Sequence, residues 1–303
     1  MINTIIFSFD RAMQLKLLLD SITEYEKSGL FDLHVIYATS SSDFEKGYEQ
    51  LKLNYPDVCW HKEIQFEERF VWPILPLYWR NYYWWFKYKY NRYLSSNFKS
   101  LTLSVMNNSK YNYTMFLTDD SMFVKPINLD LDILKKLQQN GHENSFSFRH
   151  GINLLGGKYF EINEHIEWIV TDKHNHPEWS YPFSVDGHIY NQKYLLKILK
   201  KLIFKNPNTL EGNVACYVRE KKLFFQLFAN NQSTLLGFEL NRVQSINNNN
   251  NLNINNKTLN ELYLKGYKLN LDYTLTMPHF FRPSVKEVKA TKNDHIISLY
   301  EYQ

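Results

Sequence analysis

An alternation of short apolar runs with helical segments in the first part of the chain most constrains its fold. Apolar runs that are typical of β-strands occur at 2–7 and 31–38. Each is followed by a segment of helical periodicity, at 15–22 and 44–53 respectively. A further apolar run at 113–118 ends at two adjacent aspartates. This rhythm predicts an α/β fold, a mostly parallel sheet covered by helices on both faces. We expect its ligands at the carboxyl ends of the strands.

The remaining elements are predicted from the same periodicities. A third strand is expected at 58–62, and the asparagine-rich stretch 245–256 is expected to be a surface loop, because its polarity cannot build a packed core. The predicted helices are 94–108, 131–139, 192–202, 209–222 and 259–264, and the predicted extended segments are 146–149 and 234–240.

Composition excludes several classes of protein. The 303 residues are 44% hydrophobic and 22% charged, which suits a globular core, and a net charge of +4 gives little attraction for nucleic acid. No apolar run approaches the roughly 18–20 residues of a membrane helix, and the start lacks the pattern of a signal peptide. Cys59 and Cys216 lie far apart in sequence and are expected to be reduced, buried thiols. We therefore expect a cytoplasmic protein.

Asp119 and Asp120, the acidic pair, lie within the segment FLTDDSMFVKP at 116–126. Two carboxylates at a strand end repel each other and lose hydration, so they need solvent or a compensating cation. A divalent ion that bridges carboxylate and diphosphate oxygens would supply that charge. The alternative is an ordinary acidic turn, in which Asp is common.

Four segments together resemble the GT-A type glycosyltransferases related to bacterial family 2, over residues 1 to about 280. They are FSFDRAMQLKLLLDSI, the acidic pair, YPFSVDGHIYNQKYLLKIL and NPNTLEGNV. The resemblance implies a GT-A, Rossmann-like sheet flanked by helices, with an acceptor-side C-terminal extension. It also implies a nucleotide-sugar-binding half at 1–125 and an acceptor-binding, catalytic half at 126–303 of the same domain.

The resemblance places the nucleotide sugar on residues at the strand ends. Ser8, Arg11 and Asp43 would contact the base and ribose, and the acidic pair would contact the ribose and a metal-bound diphosphate. Asp43 also suits a helix cap. Arg149, which ends an apolar strand, suits either a contact to a sugar hydroxyl or phosphate or a surface ion pair.

The resemblance also implies Mn²⁺ or Mg²⁺, with Asp120, Ser121 and His279 as ligands. The family's third acidic position is Ser121 in this chain, and a hydroxyl is a weaker ligand without charge. Metal dependence therefore stays open, with Asp120 as the alternative main ligand. His279 corresponds to a late metal-binding histidine of the family, although a lone histidine is more often structural. Arg282, close by, would meet a phosphate.

Sugar transfer needs a base that accepts a proton from the acceptor hydroxyl. The resemblance assigns this role first to Glu211, in the first turn of its predicted helix, and second to Asp186, which would otherwise hold sugar hydroxyls. The alternatives are a carboxylate favoured by the helix dipole for Glu211 and a plain Asp-Gly turn for Asp186.

Segment 70–93 is rich in tyrosine and tryptophan, contains arginine and lysine, and has no acidic residue. This composition suits contact with a membrane surface, sugar stacking, a homodimer contact or an aromatic core. The sequence as a whole predicts a glycosyltransferase that uses a nucleotide sugar, a UDP-sugar, and a glycan or lipid-linked acceptor in surface polysaccharide assembly, in the cytoplasm or at the inner membrane face. The alternative is a catalytically inactive relative that binds carbohydrate or a partner protein.

Overall fold

The computed structural model describes residues 1–72, 82, 83, 86, 93–171, 174–242, 251–277 and 282–302. The strands in these ranges are β1 (Ile2–Phe9), β2 (Phe31–Ala38), β3 (Cys59–Lys62), β4 (Gln65–Phe70), β5 (Tyr93–Ser96), β6 (Tyr113–Thr118), β7 (Ser121–Phe123), β8 (Asn144–Ser147), β9 (Phe160–Ile162), β10 (His165–Ile169), β11 (His188–Asn191), β12 (Gln226–Asn230), β13 (Leu235–Gly237), β14 (Lys268–Tyr273), β15 (Val285–Lys292) and β16 (His295–Glu301). The helices are α1 (Ala12–Tyr25), α2 (Ser42–Asn54), α3 (Phe98–Asn108), α4 (Leu131–Gln139), α5 (Gln192–Lys201), α6 (Pro207–Lys221) and α7 (Asn256–Leu264).

A sheet of nine strands forms the centre of the described part of the chain, in the order β3-β2-β1-β6-β11-β8-β12-β10-β9. Strands β11 and β10 run opposite to the other strands of this sheet. Strand β6, before residue 125, pairs directly with β11, after it. The predicted α/β fold with a mostly parallel sheet is thus confirmed, and the two sequence halves share that sheet.

Helices cover both faces of the sheet, and each face has its own apolar core. Ile6 of β1 packs into a core with α1 and α2, whereas its neighbours Ile5 and Phe7 pack into a core with α3, α5 and α6. A strand buried on both faces is mostly apolar, which explains the run at 2–7. Its polar Asn3 is also buried and donates a hydrogen bond to Gln192 at 2.9 Å. This central position fixes the end of β1, where the candidate site lies.

The structure corrects several predictions. The segment 94–108 is not one helix, because β5 ends before Asn97, which precedes α3 and accepts a hydrogen bond from the Ile64 amide at 2.7 Å. The short strands β9 and β10 were not predicted, and neither was the antiparallel sheet β14-β15-β16, whose β14 packs against α1. Cys59 and Cys216 are not joined in a disulfide, but Cys59 is exposed and Cys216 half-buried, so neither is the buried thiol that the sequence predicts.

The aromatic segment 70–93 lies largely outside the described residues, and so does the first half of the predicted loop 245–256. In the second half, Ile254 is buried in the core and Asn255 caps α7, so this part is not a surface loop. Among the described helices, none combines the length and the apolar character that a membrane crossing requires.

Two helical glycines differ in their surroundings. A Cβ at Gly47 of α2 would lie 2.8 Å from the Ala12 Cβ of α1 and 2.5 Å from the Asn260 Oδ1 of α7. The same atom at Gly212 of α6 would meet nothing within 4 Å. Gly47 therefore permits the close packing of α1, α2 and α7.

We expect Gly47→Ala to lower the free energy of unfolding by about 1–3 kcal/mol, because the added methyl group overpacks this contact. Gly212→Ala is the matched control and should raise it by about 0.5–1 kcal/mol, since alanine favours a helix interior. Urea denaturation of both variants checks this. Stabilisation by both substitutions would contradict the close packing at Gly47.

Candidate functional site

A cavity of about 440 Å³ lies at the carboxyl ends of β1, β2 and β6. Ser8, Ala38 and Thr118 line it at the strand ends, and 205–208, which lead into α6, line another wall. Ligands of α/β sheets bind at this position, and the volume is in the range of small-molecule sites. Its lining also includes Arg11, the acidic pair, Glu239, Asn241 and Arg242.

The guanidinium of Arg11 joins the acidic pair to Asn241. Its Nη1 lies 3.0 Å from the Asp119 Oδ1 and 3.0 Å from the Asp120 Oδ2. Its Nε donates to the Asn241 Oδ1 at 2.8 Å, and its Nη2 donates to the Asn241 main-chain oxygen at 2.6 Å. Burial disfavours the charged form, but the two carboxylates raise the pKa of Arg11 above its ordinary value. Arg11 is therefore a charged residue at 8% exposure.

The two members of the acidic pair have different environments. Asp119 is the more buried, and its Oδ2 accepts hydrogen bonds from the Ser8 hydroxyl at 2.8 Å and the Phe9 amide at 3.0 Å. Burial raises the pKa of Asp119 to about 6, against the opposing effect of Arg11. For Asp120 burial acts in the same direction, but Arg11 and the Thr118 hydrogen bond prevail and lower its pKa. Asp120 is thus the more accessible carboxylate and stays ionised to lower pH than Asp119.

The hydroxyl of Tyr48 in α2 contacts the residues at the end of β1. It lies 2.6 Å from the Ser8 Oγ and accepts a hydrogen bond from the Arg11 amide at 3.2 Å. Asp10, at a φ of 55°, accepts hydrogen bonds from the amide and hydroxyl of Ser40 after β2. The ends of β1, β2 and β6 are therefore fixed to one another by buried polar contacts.

A second buried arginine, Arg149, forms an ion pair with Asp186 beside the cavity. Asp186 also accepts hydrogen bonds from the Ser121 hydroxyl at 2.8 Å and from the Thr118 amide at 3.3 Å. Burial lowers the pKa of Arg149 to about 10, against the opposing charges of Asp120 and other nearby carboxylates. Arg149 is still charged at neutral pH. The alternative prediction for Arg149, a surface ion pair, is wrong because Arg149 is buried.

Glu211 lies in the second turn of α6 and not in the first, because the helix begins at Pro207 after an Asn206 cap. Its Oε1 accepts a hydrogen bond from the Val185 amide at 3.1 Å, and burial raises its pKa. It does not line the cavity. Glu211 therefore holds the segment that carries Asp186.

Glu239 lines the cavity and was not predicted from the sequence. Strand β13 pairs with β7, and the Phe238 amide donates to the Asp120 main-chain oxygen at 2.6 Å, which brings Glu239 beside the acidic pair. Glu239 pairs with Arg282 at 2.5 Å. Burial raises its pKa, opposed by Arg282. The sequence signal that could have identified Glu239 is its position directly after the apolar run 235–238, as Asp119 follows its strand.

The structure brings some of the predicted donor-binding residues together and separates another. Ser8, Arg11 and the acidic pair meet at the cavity, whereas Asp43 is exposed in the first turn of α2, pairs with Lys46 at 2.8 Å and does not line the cavity. His279 lies outside the described residues.

The described residues do not fit the Mn²⁺ or Mg²⁺ site that the resemblance implies. Both oxygens of Asp119 accept hydrogen bonds from protein donors, and Arg11 binds Asp120. The Ser121 hydroxyl is directed to Asp186 instead. Within the described ranges no group of three or more His, Cys, Asp or Glu side chains is arranged to hold a metal ion.

No protein-family model matches this chain, and no curated protein matches its sequence. Among solved structures, the chain is similar to residues 1–349 of S. aureus TarS, both in a crystal structure of that fragment and in one of its complex with UDP. In each case the identity is 11% and the TM-score 0.42, over 78% of this chain and 60% of the other. A further TarS crystal structure has 13% identity and a TM-score of 0.34, over 65% and 29% of the two chains. The chain thus spans less than two thirds of the length of these similar structures.

Two buried histidines, His150 and His188, lie near Arg149. The ring centre of His150 lies 4.5 Å from that of Trp168 and 5.6 Å from that of His188. Burial, with the nearby Arg149 charge, lowers the pKa of His188 to about 3, and burial also lowers the pKa of His150. The fold thus holds both imidazoles neutral.

The two histidines should therefore contribute a loss of stability in acid. Because the unfolded chain takes up these protons near pH 6.5 and the folded chain does not, each histidine should remove up to about 1.4 kcal/mol of unfolding free energy per pH unit below about 6.5. Urea denaturation at pH 7.5, 6 and 5 measures the slope. His188→Phe should reduce it, and an unchanged slope in that variant would contradict a neutral, buried His188.

Proposed function

We propose that this protein is a GT-A type glycosyltransferase that transfers a sugar from a nucleotide-sugar donor, a UDP-sugar, to a glycan or lipid-linked acceptor. The observation that supports this best is the composition of the cavity at the strand ends. The acidic pair, Lys205 and Arg242 all line it, and Lys205 comes just before the start of α6 at Pro207. Carboxylates suit sugar and ribose hydroxyls, whereas cations near a helix N-terminus suit a diphosphate.

Transfer requires that an acceptor hydroxyl lose its proton while its oxygen bonds to the anomeric carbon and the nucleoside diphosphate leaves. We assign proton acceptance to Glu239, because it lines the cavity and burial raises its pKa, which makes it a stronger base. Asp120 is assigned to a donor hydroxyl. Glu211 and Asp186, the bases that the resemblance implies, are assigned to positioning, since neither of them lines the cavity.

We further place this activity in surface polysaccharide assembly, at the cytoplasmic face of a membrane. The aromatic and basic segment 70–93 supports contact with a lipid-linked acceptor, because tyrosine, tryptophan and basic residues suit a membrane interface. A second possibility, a binding protein without turnover, is favoured by the engagement of both carboxylates of the acidic pair with Arg11.

Donor binding is tested by thermal stability with UDP-, GDP-, TDP- and CMP-sugars. A ligand at a hundred times its dissociation constant should add about 2.7 kcal/mol to the unfolding free energy. We expect a rise in melting temperature with the UDP-sugar, and a weaker rise in Lys205→Ala, which removes a cation of the lining. Lys200→Ala is the control, since Lys200 is exposed and does not line the cavity. No rise with any nucleotide sugar would remove the basis of the proposal.

Catalysis is tested with Glu239→Gln. The variant should bind the donor as before but lose about 10²–10⁴-fold in kcat, the usual contribution of a general base. Donor hydrolysis and transfer are followed by release of the nucleoside diphosphate. Glu211→Gln is the comparison and should lose less. Equal turnover in Glu239→Gln and the wild type would reject Glu239 as the base, and donor binding without turnover in the wild type would favour the binding protein.

A further inference from the structure

We infer that the guanidinium of Arg11 takes the place of the divalent cation in this site, so that the nucleotide sugar binds without metal. The nucleotide sugar as ligand rests on the proposed function. The role of Arg11 rests only on its contacts with the acidic pair. The Arg11 guanidinium is an internal organic cation that offsets negative charge on the two carboxylates.

The position of Arg11 is that of a bridging cation. One nitrogen, Nη1, lies 3.0 Å from an oxygen of Asp119 and 3.0 Å from an oxygen of Asp120. A divalent ion shared by two carboxylates compensates the same pair of charges. The guanidinium offsets one of the two negative charges and lies between the two carboxylates, so a metal ion would find less negative charge there and would have to displace Arg11.

Arg11 is also held in this position by other contacts. Its two remaining nitrogens donate to the side chain and main chain of Asn241, at 2.8 and 2.6 Å. Arginine presents its donors in a rigid fork, so all of these contacts constrain a single orientation. A metal ion entering between the carboxylates would have to break several buried hydrogen bonds.

The other predicted ligand in the described part of the site is directed elsewhere. The Ser121 hydroxyl donates to Asp186 at 2.8 Å, and Asp186 pairs with Arg149. Ser121 thus belongs to the ion pair of Arg149, and its hydroxyl adds no negative charge that would attract a metal ion.

Without a metal, protein cations must meet the charge of the diphosphate. Lys205 and Arg242 line the same cavity as the acidic pair. Both are suited to phosphate, lysine as a point charge and arginine through paired donors. The site thus divides its cations between two tasks, with Arg11 on the carboxylates and the others on the ligand.

The first experiment measures Mn²⁺ binding to the full-length protein by electron paramagnetic resonance of free Mn²⁺, without nucleotide. With protein in excess, the wild type should leave the free Mn²⁺ signal unchanged. Arg11→Met, which removes the guanidinium from both carboxylates, should deplete the signal, and Asp120→Asn in that background should restore it. The inference would be overturned if the wild type depleted the free Mn²⁺ signal and Asp120→Asn abolished that depletion. It would also be overturned if Arg11→Met folded but bound no Mn²⁺.

Circular dichroism establishes which variants fold. Arg11→Lys keeps one positive charge but cannot reach both carboxylates and Asn241, so it should bind Mn²⁺ less than Arg11→Met. The wild-type measurement does not depend on either variant and decides the inference if Arg11→Met fails to fold.

The second experiment measures UDP binding by calorimetry in EDTA and in Mn²⁺. The dissociation constant of the wild type should differ by less than about 2-fold between the two buffers, whereas a loss of about 10-fold in EDTA, equivalent to 1.4 kcal/mol, would overturn the inference. If UDP, GDP, TDP and CMP bind in neither buffer, the proposed function fails, and the Mn²⁺ measurement alone decides the role of Arg11.

Discussion

The buried ion pairs of Arg11 are the interaction on which the candidate site depends. They join the end of β6, through Asp119 and Asp120, to Asn241 in the second half of the chain. Removing one partner of a buried ion pair commonly costs about 3–5 kcal/mol, a large share of the 5–15 kcal/mol that stabilises a typical domain. The same contact therefore organises the carboxylates and contributes to the stability of the fold around them. Arg149 does the equivalent for Asp186 and Ser121.

The parallel core of the fold and part of the site could be predicted from the sequence. Strands buried on both faces are continuous apolar runs, so β1, β2 and β6 were evident, and adjacent parallel strands end at one edge. That reasoning alone brings Ser8 and the acidic pair together, as the structure does. Short strands such as β9 lack such a run, and in strands such as β15 the buried Val288 and Ala290 alternate with more exposed polar residues, so the same approach does not find them.

Positions that depend on caps or on distant pairing could not be predicted. Glu211 lies one turn later in α6 than expected because Asn206, with Thr209, forms the cap. Asp43 faces solvent because α2 begins at Ser42, which fixes the direction of the first turn. Glu239 reaches the cavity through the pairing of β13 with β7, a contact between segments far apart in the chain that no local pattern encodes.

The long sequence separation between neighbouring strands of the central sheet affects the order of folding. Strand β1 pairs with β6, and the Ser8 and Asp119 side chains that meet there are 111 residues apart in sequence. Such non-local contacts carry a high entropic cost of loop closure and slow the folding of a chain. The carboxylates consequently reach Arg11 only after the central strands have assembled. We therefore expect the charged site to form late, on a sheet whose apolar strands have already found one another.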